Sequence, residues 1–144
     1  MTIDEIMDLW MQDVEIDKTE LGDESIKIAK LHQKYYTILS KERMALRKYE
    51  SDMKALKLDK YEFLTQGPNE DTRDKGWRLP PKGMVLKSDL PMYMDADADI
   101  RELNLKIAYQ QEKIDYLTDV IRMLHNRSYQ IRNGIEWQKF TMGG

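Results

Sequence analysis

Apolar residues recur along this chain in steps of three and four over two long stretches, a spacing that predicts long amphipathic helices. From Ile100 the steps land on Leu103, Ile107, Gln110, Ile114, Leu117, Ile121, Leu124, Ser128, Ile131 and Ile135, and nine of these eleven positions are aliphatic. Neither proline nor glycine interrupts Ile100 to Asn133, so the pattern predicts a helix from about Asp99 to about Lys139, roughly 60 Å long at about 1.5 Å per residue. Asp95, Asp97 and Asp99 precede it, where acids favour the helix dipole and Asp97 or Asp99 can cap free backbone N–H groups. A second series, Ile28, His32, Tyr35, Leu39, Glu42, Leu46, Tyr49, Met53 and Leu56, predicts a helix from Asp23 to about Phe63, with seven of nine positions apolar or aromatic.

A shorter amphipathic segment, Ile3 to Gln12, carries Ile3, Ile6, Met7, Trp10 and Met11 above an acidic face and predicts a helix that docks on the bundle or on a neighbour. Between the long helices, glycine and proline at Gly76, Pro80, Pro81 and Gly83 forbid a continuous helix. One short strand is conceivable at Met84-Val85-Leu86-Lys87. The expected fold class is therefore mainly α, in one helical domain over 1–144: an acidic arm (1–22), a basic helix (23–63), an irregular connector (64–97) and a heptad helix (98–140). The C-terminal stripe holds more apolar surface than one hairpin partner should cover. Ile107, Ile114, Leu117, Ile121, Leu124, Ile131 and Ile135 are accordingly expected at an interface between copies of the chain.

The net charge of −3 conceals a separation of sign. Residues 1–24 hold nine acids against Lys18, a balance of −8, while residues 25–60 hold ten bases against four acids, a balance of +6. Such asymmetry suits a polyanion partner for the basic part and a protein partner for the acidic arm, although two mutually attracting or merely solvated faces give the same composition.

At 144 residues the chain suits one core, and the absence of cysteine excludes disulfides, thiolate metal sites and a cysteine nucleophile. The first ten residues include Asp4, Glu5 and Asp8 and do not form a secretory signal, and no stretch approaches the roughly 18 apolar residues of a membrane span. A soluble protein that stays where it is made is expected, with no membrane partner. Catalysis finds no support. His32 sits on a seam and His125 beside Leu124, without a metal-site pattern around either, and no phosphate-cradling glycine loop is present. Asp95, Asp97 and Asp99 fail as a calcium loop, because Ile100 and Lys106 stand where glycine and glutamate are needed. No catalytic residue, metal site or cofactor is expected.

The basic helix ends in a mixture of cations and rings. Arg43 and Arg47 are followed by Lys54, Lys57 and Lys60, with Tyr61 and Phe63 adjacent, and the connector repeats the mixture in Arg73, Lys75, Trp77 and Arg78. Phosphates require the first and unstacked bases accept the second, the pairing used by sequence-tolerant single-strand binders. Lysines near a helix C-terminus also serve the dipole, so the pattern alone leaves open a coiled-coil scaffold that binds no DNA.

The whole chain resembles the UvsY family of recombination mediators from large lytic tailed phages. The resemblance lies in Asp13, Val14, Ile16, Asp17, Thr19 and Leu21, which match an Asp-Val-x-Ile-Asp-x-Thr-x-Leu stretch, and in Ala55-Leu56-Lys57 followed by an acid, aromatics and Gly67. It implies a non-enzymatic homo-oligomer, a ring of six or seven, in the cytoplasm of the infected bacterial host. Such a ring binds single-stranded DNA, loosens the phage single-strand-binding protein and helps a RecA-like recombinase load. The family motif has a second base two places after its lysine. Here Asp59 occupies that place, and Lys60, one residue further on, is the expected substitute.

Overall fold

A computed structural model describes residues 1–143 as four α-helices and one turn of 3-10 helix. In chain order these are α1 (Ile3–Asp13), α2 (Leu21–Gln66), the 3-10 turn (Arg73–Lys75), α3 (Leu90–Ala96) and α4 (Ala98–Thr141). There is no strand among the described residues. The segment conceived as one, Met84 to Lys87, instead has Val85 N–H donating to Leu64 C=O at 2.8 Å and Leu86 C=O accepting from Asp89 N–H at 3.0 Å. No helix of the described residues is long and apolar enough to cross a membrane. The contacts divide the chain into two compact units, one formed by Met1–Met44 with the chain from Gln110 on, the other by Ala45–Tyr109.

In the first unit α1 starts with a capping box, Thr2 Oγ1 accepting from Glu5 N–H at 3.1 Å while Glu5 accepts from Thr2 N–H at 3.3 Å. Its Ile6 and Trp10 are buried, and Trp10 meets Tyr35 of α2 edge to face at 5.4 Å. The far end of α1 is closed by a residue of α4. Arg127 donates to the carbonyls of Asp13 (3.1 Å) and Val14 (2.7 Å), where a cation both satisfies orphan acceptors and meets the negative end of the dipole. Asp13 in turn accepts from Lys34 Nζ and Tyr35 Oη, each at 2.7 Å. Burial pushes the Asp13 carboxyl up, but these two bonds and the charges of Lys34 and Arg127 outweigh it and hold the group below its ordinary 3.8. Burial, then the Asp13 bond, push the Tyr35 hydroxyl well above its ordinary value.

The α4 stripe is largely consumed inside this unit. Leu117 and Leu124 are fully buried, and Ile114 and Ile131 nearly so, while Ile121 and Ile135 are half-buried. The stripe expected to face other copies of the chain is thus packed in large part within the subunit. Beside it runs a second buried row on α4, Lys113, Val120 and Arg127, and Arg127 lies 5.5 Å from the ring centre of Trp10 on α1. Glu42 of α2 closes the row's other end, with Gln110 and Lys113 donating to its carboxylate. Gly134 allows a close approach: a Cβ there would stand 3.3 Å from Leu21 Cδ1.

In the second unit Phe63, Leu64, Val85 and Leu90 form the core, with Tyr61, Trp77, Leu79, Tyr93 and Met94 packed around it. The connector is thus ordered on the end of α2. Gly67, at φ +87°, ends the helix in the left-handed region that glycine tolerates. Asp97 separates α3 from α4 with an extended backbone and caps α4, its Oδ2 accepting from Ile100 N–H at 3.0 Å. Ile107 is half-buried in this unit.

Candidate nucleic-acid interface

Along the part of α2 that lies in the second unit, one row of steps four and three runs through Arg47, Glu50, Lys54, Lys57 and Tyr61, so these side chains share a face. Arg47, Glu50, Lys54 and Lys57 are exposed and Tyr61 is half-buried at the edge of the core. The row extends over about 21 Å at about 1.5 Å per residue. Among the described residues no acid pairs with Lys54 or Lys57. Arg43, one turn earlier on the same helix, is also exposed and belongs to the first unit.

The connector adds Arg73, Lys75 and Arg78, all exposed. Arg73 and Lys75 stand on the 3-10 turn, which ends at Gly76 with φ +71° before the chain enters Trp77 and Arg78. The connection is held by Asn69 and Thr72, whose side chains exchange bonds with each other's backbone N–H at 3.0 and 2.9 Å. Lys75 Nζ reaches Asp59 Oδ2 at 3.5 Å and lies 4.9 Å from the Trp77 ring centre.

Three of the expected contact residues stand inside rather than on this face. Lys60 is 5 % exposed, its Nζ 3.0 Å from Asp97 Oδ1 and 2.7 Å from Asp99 Oδ2, and 3.8 Å from the centre of the Trp77 ring. Phe63 is buried and meets Trp77 edge to face at 5.6 Å, so the indole serves the core of the unit. Lys60 therefore does not replace the base missing at Asp59 as an exposed cation. The signal was in the register: counting on from Leu56 by four and three reaches Lys60 and Phe63, the inward row. Its partners Asp97 and Asp99, read in the sequence only as caps, have no local spacing that ties them to position 60.

The two histidines are exposed and each lies beside a tyrosine, His32 parallel to Tyr36 at 5.9 Å and His125 against Tyr129 at 6.4 Å. No group of three metal-binding side chains occurs among the described residues.

A family described as "Recombination, repair and ssDNA binding protein UvsY" matches residues 9–144. Three crystal structures of the recombination mediator protein UvsY of bacteriophage T4 are similar in fold. The lattice type IV structure has a TM-score of 0.79 at 16 % identity, covering 98 % of this chain and 99 % of that one. The type II structure has 0.80 at 19 %, covering 100 % and 99 %, and the type I structure 0.80 at 18 %, covering 95 % and 98 %. No curated protein matches by sequence.

Proposed function

We propose that this chain, which belongs to the UvsY family of recombination, repair and single-stranded-DNA-binding proteins, loads a RecA-like recombinase onto DNA in a phage-infected bacterial cytoplasm. It binds the single strand, loosens the phage single-strand-binding protein that coats it, and so gives the recombinase a place to nucleate. This is the work of a binding protein and not of an enzyme.

The observation that supports the reading is the exposed row Arg47, Lys54 and Lys57 with Tyr61 at its end, extended by Arg73, Lys75 and Arg78 of the same unit. Cations spaced along a helix meet successive phosphates, and the partly open tyrosine ring offers one base a stacking surface. Three phosphate contacts make a weak site. Assembly into a ring of six or seven subunits converts later contacts into intramolecular ones and multiplies the affinity. Contacts between copies fall to side chains that the subunit leaves open on α4, among them Trp137 (65 % exposed) and Phe140 (74 % exposed), next to the half-buried Ile135.

The test is a coated-strand assay. Purified protein is added to oligo(dT) covered with phage single-strand-binding protein, and recombinase filament growth is followed after mixing. A shortened lag is expected, together with direct binding to bare oligo(dT) that weakens steeply with salt. A protein that assembles yet is not retained on oligo(dT) at moderate salt would instead be a scaffold.

A further inference from the structure

Lys60 is the one basic residue of the second unit that is withdrawn from solvent, and every direction its ammonium group can use is occupied. Asp97 Oδ1 lies at 3.0 Å, Asp99 Oδ2 at 2.7 Å, and the Trp77 ring centre at 3.8 Å. Asp97 has its second oxygen on the backbone N–H of Ile100, so the carboxylate is fixed before Lys60 meets it. Trp77 is one residue beyond the left-handed Gly76 and is the only ring of the loop that carries Arg73, Lys75 and Arg78. Those three bases are exposed, whereas the half-buried indole meets Lys60 and Phe63, with Lys75 Nζ 4.9 Å from its centre.

We infer that Lys60 is a positioning residue, which touches no DNA and which, through Trp77 and the paired carboxylates of Asp97 and Asp99, holds the 73–78 loop so that its bases extend the phosphate-binding row of α2. A lysine suits the task because it spans three anchors with one group. Two acids at the start of α4 and a tryptophan on a loop have no common partner without it. A buried cation with two carboxylates also resists replacement by water, so the loop keeps one place instead of sampling many. The inference rests on the DNA-binding reading of the α2 row.

A double-mutant cycle on the full-length protein tests it, with fluorescent oligo(dT) as the probe. Lys60→Met keeps the stem and removes the charge. Trp77→Leu leaves the ion pairs intact and removes the ring, which covers the case in which Lys60→Met fails to fold because Asp97 and Asp99 lose their cation. In the otherwise native protein each substitution should weaken binding by about fivefold for every phosphate contact the loop loses at 0.1 M salt. In an Arg73→Ala/Lys75→Ala/Arg78→Ala background neither should weaken it more than about twofold, because residues acting through the same groups are not additive. Trypsin should also cut after Arg73 and Arg78 faster in both variants than in the native protein.

An equal loss in both backgrounds would overturn the inference, since a direct contact or a general loss of stability is additive with the loop. So would native affinity for Lys60→Met. If Lys54→Ala/Lys57→Ala still weakens binding while Lys60→Met does nothing, only this inference falls; if none of these variants affects binding, the α2 row falls with it.

Discussion

Replacing Lys54 and Lys57 together with alanine removes two exposed cations from the α2 row. For single strands the logarithm of affinity falls with the logarithm of salt by about 0.7 per phosphate neutralised, so losing two contacts should flatten the slope by about 1.4. At 0.1 M salt each contact then contributes about fivefold, roughly 1 kcal/mol, and the double variant should bind about 25-fold more weakly. Between 50 and 200 mM salt the native protein should lose about sevenfold more affinity than the variant. Fluorescence anisotropy with an oligo(dT) short enough to engage one subunit reads both numbers. Alanine is a good helix former and both sites are solvent-exposed, so stability should stay within about 0.5 kcal/mol. Lys54→Arg/Lys57→Arg should keep the native slope, because charge and not the ammonium shape is at issue. A double alanine variant that folds normally and retains the native slope would refute the assignment of these lysines to phosphate.

Other substitutions report on the frame. Leu117 has no solvent exposure, so Leu117→Ala should destabilise by about 2–5 kcal/mol in thermal unfolding, and Leu117→Asp should unfold the subunit instead of merely dissociating an assembly. Asp13 is held below its ordinary value, so the stability it adds is complete above about pH 4 and is lost as pH falls through its folded value. Asp13→Asn should accordingly be about 1 kcal/mol less stable than the native chain at pH 7, with the gap closing below pH 4 in acid-unfolding curves. Gly134→Ala gains up to about 1 kcal/mol of helix propensity and crowds only the flexible tip of Leu21 at 3.3 Å, so a small rise in Tm is expected. A fall in Tm would mean that Leu21 cannot shift.

Both long helices were legible because periodicity outlasts every ambiguity over forty residues. The spacing placed α2 and α4 within a few residues of Leu21–Gln66 and Ala98–Thr141. What α4's stripe packs on was not legible. Leu117 and Leu124 carry the same pattern whether their own subunit or another copy covers them, and their burial within the subunit shows only in the structure. Short α3 was hidden in a connector read as irregular, since seven residues with a proline in the first turn offer too little pattern. At the candidate site the exposed row was readable from type and spacing. The inward place of Lys60 was missed because its charge drew attention away from its register, and that of Trp77 because its chain neighbours are charged while its packing partner Phe63 comes from α2.

The first unit is built from the two ends of the chain and the second from its continuous middle. During synthesis residues 45–109 emerge as one stretch and have all their own partners at hand. The nascent α1, although it leaves the ribosome first, must wait for Arg127, 114 residues behind Asp13, before its last turn is closed. Until then Ile6 and Trp10 lack the partners that α4 brings, while Asp4, Glu5 and Asp8 surround them with charge that opposes association.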